Sequence, residues 1–142
     1  MNKKNDCSKL KRAYMIPVAI HDGTPFIMVM RPSNKQFGGI MYQIAKGRID
    51  AGETSKQAAI RECSEELGIN ISTEIESLGY YFNNTSEVFF SIVKNCEQDH
   101  APCFETIHTA WLTIPEFLSI GRDIQKMIIT DLRNRLTSII DV

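Results

Sequence analysis

Glu62, Glu65 and Glu66 are the residues of this 142-residue chain whose type and spacing most readily do chemistry. They lie in RECSEEL, residues 61–67. At about 100° per residue, a helix places Glu66 about 40° to one side of Glu62 and Glu65 about 60° to the other. Three carboxylates then share an arc of about 100°, with Ile60, Cys63 and Leu67 as an apolar stripe beside them. Like charges at i,i+4 cost roughly 0.2–0.5 kcal/mol per pair, and the second half of a helix disfavours negative charge. A solvated acidic face is one reading of such a run. A cation site is the other. Carboxylate oxygens with no histidine beside them suit Mg²⁺ or Mn²⁺, which bind through a few carboxylates, several waters and the phosphates of a substrate. Such an ion lowers the pKa of a water and neutralises charge developing on phosphoryl oxygens.

Other chemistries find less support. Cys7, Cys63, Cys96 and Cys103 form no CxxC pair and read as thiols of a reducing compartment. Cys96, His100, Cys103 and His108 can be drawn as a zinc site. Their gaps match no common finger, so the stretch is expected to be a loop between strands. No GxxxxGK[ST] phosphate loop occurs. With 16 basic and 17 acidic residues the formal charge is -1, which argues against an extended nucleic-acid surface but not against a nucleotide-sized site. No apolar run reaches the ~18 residues of a membrane helix. The polar, basic start lacks the apolar core of a signal peptide, so a cytoplasmic location and no membrane partner are expected.

The carboxylates need elements to hold them. Residues 1–12 read as a flexible basic arm, and 13–142 as a single domain. Residues 13–20 and 25–31 are apolar runs flanking Asp22-Gly23, a hairpin signal. Pro17 suggests an edge position or a bulge in the first strand. A Gly-rich loop, 32–39, precedes a short strand expected at 41–44. The clearest helix spans 55–67, opened by a Thr54/Gln57 capping box and closed at Gly68. Strands are expected at 75–82, 86–94 and 106–112, with Asn83-Asn84-Thr85 as the turn between the first two. Thr113 and Glu116 cap a short helix ending near Gly121. A last helix covers 123–138, with Ile124, Ile128, Leu132 and Leu136 as its buried stripe. This order gives an α+β fold with a largely non-parallel sheet.

Residues 47–69, GRIDAGETSKQAAIRECSEELGI, resemble the Nudix box, G-x5-E-x7-R-E-U-x-E-E-x-G-U with U a bulky aliphatic. Gly47, Glu53, Arg61, Glu62, Glu65, Glu66 and Gly68 occupy every fixed position. Cys63 at an aliphatic position is a mild departure, since free cysteine packs as a small hydrophobe. Ala45 stands where many members carry proline. The resemblance implies an α/β/α sandwich with a mixed β-sheet. It also implies hydrolysis of nucleoside diphosphates linked to another moiety, with Mg²⁺ or Mn²⁺ as cofactor. By resemblance, Glu62 and Glu66 are the principal metal ligands, joined by the Gly47 carbonyl. Glu65 is a further ligand or the water-activating carboxylate. Glu53 and Arg61 orient these groups. Glu105, before a late strand carrying Trp111, is a candidate for a further ligand or general base; Glu87 and Asp99 are weaker candidates.

Specificity must come from outside the box. Arg31, Lys46 and Arg48 are candidates to meet phosphates, and Phe37, Tyr42, Tyr80 and Phe82 to stack on a base, a contact worth roughly 1–3 kcal/mol. The resemblance leaves the subfamily open, with ADP-ribose or a dinucleoside polyphosphate the substrate expected first. A capped RNA end or a nucleoside triphosphate is the enzymatic alternative. A nucleotide sensor without turnover is the other, disfavoured because the box carboxylates are all kept. Members of this family often pair as homodimers.

Overall fold

The computed structural model describes residues 9–34, 36 and 39–140. Six strands form one sheet: β1 (Arg12–His21), β2 (Thr24–Pro32), β3 (Ala45–Arg48), β4 (Glu76–Tyr81), β5 (Ser86–Ile92) and β6 (Thr106–Thr113). The order is β4-β5-β1-β2-β6, with β3 paired to the start of β1. Only β1–β5 runs parallel, so the sheet is mixed. Helix α1 (Ser55–Leu67) covers one face; α2 (Ile114–Ile120) and α3 (Lys126–Ile140) cover the other. Alternation along β1 feeds both layers. Tyr14, Ile16 and Val18 pack toward Phe117, Ile128 and Leu132, whereas Ala13 and Met15 pack toward Ala58, Ala59, Cys63 and Leu67. Among the described residues no helix is long and apolar enough to cross a membrane.

The turn chemistry acts where the residue types place it. Asp22 and Gly23 both take positive φ, 51° and 79°, and join β1 to β2 in a two-residue hairpin. Both capping boxes form, at Thr54/Gln57 and Thr113/Glu116. Gly68 closes α1 in the left-handed region at φ 73°. Its carbonyl accepts the amides of Asp99 and His100, which docks the 95–105 loop on the helix end. His100 Nε2 lies 3.0 Å from Ser64 Oγ in the same dock.

Four expectations change. Pro17 sits in a central strand, not at an edge. It lies between the residues that pair with β3, which end at Met15, and those that pair with β2, which begin at Val18. A proline is tolerated there because no ladder bond is needed on that side. The third strand is AKGR at 45–48; Tyr42 and Gln43, inside the expected 41–44 strand, form only isolated bridges to Gly121 and Met30. Ile124 is half exposed, because residues 123–125 form a 3₁₀ turn ahead of α3, and Ile129 takes its place in the buried stripe. The ordered chain also takes in the end of the expected arm. The amides of Lys11 and Arg12 both donate to Thr85 O, while residues 1–8 lie outside the described residues.

Gly68→Ala puts a Cβ into the His100 carbonyl at a left-handed φ. The expected cost is about 1–3 kcal/mol, read as a lower urea midpoint with an unchanged denaturant slope.

Candidate active site

One turn of the sequence, Arg48 to Thr54, separates β3 from α1 and brings the two alongside. The side chain of Arg61 ties them together. Its Nε and Nη2 reach the two oxygens of Glu53 at 2.8 and 3.0 Å, a bidentate fork. Nη1 donates to Glu62 Oε2 at 2.9 Å, and Nη2 donates to Arg48 O at 3.0 Å. Asp50 Oδ2 and Glu65 Oε1 lie further off, at 3.4 and 3.5 Å. The paired guanidinium holds the Glu53 carboxyl well below the usual carboxylate range, at about 2. The carboxylates in turn raise the pKa of Arg61. Glu53 also accepts the Asp50 amide, which closes the loop before the helix.

Glu62 and Glu66 turn inward from α1. The Glu62 carboxylate lies against the backbone of Gly47, so closely that a Cβ on Gly47 would collide with it. Glu66 Oε1 accepts the Lys46 amide at 3.0 Å, pinning the helix to β3. Burial pushes the Glu66 carboxyl up to about 8; the Lys46 amide opposes this and the charge of Glu62 adds to it. Burial also raises Glu62, against the pull of Arg61. Two neighbouring, partly desolvated carboxylates resist being ionised together unless a cation joins them.

These groups line one end of a cleft of about 780 Å³, within the usual size of a small-ligand site. Glu105 faces the same cleft, as do Lys46, Gly47, Arg48 and Asp50. Glu65 does not line it and keeps about half its side chain in solvent at the rim. Arg31 does not line it either: it is exposed on β2, donates to Ile40 O and lies over Tyr42. Of the candidate aromatics, Phe82 lines the cleft, Tyr42 and Tyr80 do not, and Phe37 lies outside the described residues. Glu87 is buried between the hydroxyls of Ser55 and Ser77, and Asp99 accepts the Asn70 amide; neither lines the cleft. Sequence reasoning missed Arg12, Tyr14, Gln43 and Arg122, all on the cleft wall. Their signal is topological, since β1 starts beside the box and Arg122 is tied by its amide to Tyr42 O.

The model of the NUDIX domain matches residues 9–132 of the chain. The chain belongs to the Nudix family. Its mixed sheet between helices is the Nudix fold, and with the box complete it is an enzyme of the Nudix hydrolase class. Solved structures agree in fold. A C. elegans Ap4A hydrolase in a binary complex superposes with a TM-score of 0.66 at 22% identity, covering 89% of this chain and 97% of that one. The NUDIX domain of Shewanella oneidensis NrtR, complexed with ADP ribose, gives 0.68 at 17%, covering 96% and 100%. A Nudix hydrolase from Listeria monocytogenes gives 0.70 at 17%, covering 89% and 94%. No curated protein matches the chain by sequence.

The Nudix residues fit a hard divalent ion. Among the described residues no three carboxylates, imidazoles or thiols converge into a closed cage. What the site offers instead is two crowded carboxylates, Glu62 and Glu66, beside an open cleft. Mg²⁺ suits such a set, because it takes few protein ligands and fills the rest with water and phosphate. Gly47→Ala is therefore expected to displace Glu62. Calorimetric titration should show Mg²⁺ affinity lowered about tenfold, with the melting temperature changed by less than about 5 °C.

Proposed function

We propose that the chain hydrolyses the phosphoanhydride of a nucleoside diphosphate linked to a second moiety, with ADP-ribose or a dinucleoside polyphosphate as substrate. One observation supports this reading above others: a carboxylate pair, buried Glu62 and half-buried Glu66, shares a cleft with Arg12, Lys46, Arg48 and Arg122. Carboxylates that need a cation and side chains that need an anion meet across a space large enough for a nucleotide.

Glu62, Glu66 and the Gly47 carbonyl would hold Mg²⁺ or Mn²⁺, which supplies charge neutralisation at phosphate oxygens and acidifies water. Arg61 fixes the Glu62 carboxylate, and the Lys46 amide fixes that of Glu66, so neither has to be organised during the reaction. Water attacks one phosphorus of the diphosphate, and the bond from that phosphorus to the bridging oxygen breaks. Glu105, which lines the cleft with this pair and, unlike Asp50, is not paired to Arg61, takes the proton of the attacking water as general base. The bridging oxygen leaves on the other phosphate. The products are a nucleoside monophosphate and a phosphorylated remainder. Lys46 and Arg48 meet the phosphates, and half-buried Phe82, backed by the core ring of Tyr14 at a centroid distance of 6.2 Å, offers apolar surface to the nucleoside.

A panel of ADP-ribose, dinucleoside polyphosphates, NADH, nucleotide sugars and triphosphates, incubated with Mg²⁺ and read by product mass, tests the proposal. Cleavage between two phosphates of at least one member is expected. Tight binding of ADP-ribose with no turnover of any member would instead make the chain a sensor. Glu66→Gln should lower kcat at least 10²-fold at every Mg²⁺ concentration while substrate still binds, on the order expected when a group in the reacting machinery is lost. Equal rates in variant and parent would remove Glu66 from its assigned role.

A further inference from the structure

Arg12 and Arg122 come from opposite ends of the chain, yet both line the active-site cleft beside Tyr14, Phe82 and Ser86. Arg12 opens β1, where its register partner on β5 is Ser86. Arg122 follows Gly121, whose bridge to Tyr42 and whose neighbour's amide bond to Tyr42 O hold the segment against the third strand's approach. Among the described residues neither guanidinium pairs with a carboxylate. Three acids of the cleft are engaged elsewhere, Glu62 and Asp50 by Arg61 and Glu66 by the Lys46 amide; the fourth, Glu105, has no ion pair with either arginine.

The cations also face one another. On the β1–β3 ladder Arg12 stands directly opposite Arg48, and both line the cleft. Like charges directly opposite on paired strands are destabilising. The Lys46 ammonium lies in the same wall, half-buried and without an ion pair within 4.0 Å. Among the described residues Arg12 and Arg122 face the cleft without an ion-pair partner, and planar guanidinium forks match phosphate oxygens.

We propose that Arg12 and Arg122, on the wall of the cleft that the carboxylates also line, form a phosphate subsite that takes one phosphate beyond the two that flank the cleaved bond. The inference rests on the cleft being the substrate site. It narrows the two substrate classes proposed above to a nucleotide with at least three phosphates, which leaves out unmodified ADP-ribose. These are either a bridge of three or more, or a diphosphate whose ribose carries another.

Calorimetric titration of the full chain in Mg²⁺ tests this with two pairs of probes. Tripolyphosphate against pyrophosphate reads an added bridge phosphate. Adenosine 2′,5′-bisphosphate against AMP reads an added ribose phosphate. The parent is expected to prefer the phosphate-richer member of at least one pair by about tenfold, on the scale of a charge-assisted guanidinium–phosphate contact. The pair that shows the preference identifies the source. Arg12→Gln and Arg122→Gln should each remove most of that preference, while Arg133→Gln, exposed on α3 away from the cleft, keeps it. No preference in either pair, or variants that weaken both members of a pair by one factor, would overturn the subsite. Failure of the hydrolase reading looks different: the preference survives while no nucleotide in any panel is turned over.

Discussion

The guanidinium of Arg61 is the interaction on which the rest of the site depends. It is one rigid, permanently charged plane, and it spends its donors on three partners that the chain would otherwise leave unconnected. Glu53 belongs to the loop before α1, the Arg48 carbonyl to the end of β3, and Glu62 to the cleft. A bidentate pair fixes an angle as well as a distance, so the loop, the strand and the catalytic face of the helix are set in one geometry. Glu53 is not replaceable by a carboxamide of equal size, because the amide nitrogen would point a donor at a donor. Arginine is not replaceable by lysine, which has no fork.

The second requirement is that α1 lie close to β3. The sheet provides this by letting β1 serve two partners on one edge. Its first residues pair with β3 and its last with β2, and the proline between them tolerates the exchange. Small residues do the rest. Ala13, Ala45, Ala58 and Ala59 are fully buried between helix and sheet, and Gly47 leaves room for the Glu62 carboxylate. The apolar contacts thus bring two carboxylates into a space where they repel, and their placement is sustained by Arg61 and by the Lys46 amide. Function here draws on packing energy elsewhere in the fold, in the cluster around Phe90, Phe117 and Leu132.

Much of this was legible in the sequence because it is written in local chemistry. The hairpin at Asp22-Gly23, both capping boxes, Gly68 and the carboxylate face of α1 each depend on residues a few positions apart. What was not legible depends on partners far along the chain. The third strand, AKGR, has no apolar alternation, since backbone pairing with β1 makes it a strand. Pro17 looked like an edge residue because the split between β3 and β2 is visible only in three dimensions. Ile124 looked like core because a 3₁₀ turn and an α-helix share the same letters until the turn rotates one side chain into solvent. Of the cleft residues, Arg12 and Tyr14 share one face of β1, but no spacing links either to Arg122, which topology alone brings beside them.

Replacing Arg61 by lysine tests the central claim most directly, because the charge is kept and only the fork is lost. The measurement is kcat for the best substrate across a Mg²⁺ titration, alongside the urea midpoint. The account predicts a fall in kcat of about tenfold or more that added Mg²⁺ does not restore, in a chain that still unfolds cooperatively. Parent-like kcat at every Mg²⁺ concentration would contradict it, since a positive charge alone would then suffice to organise the carboxylates.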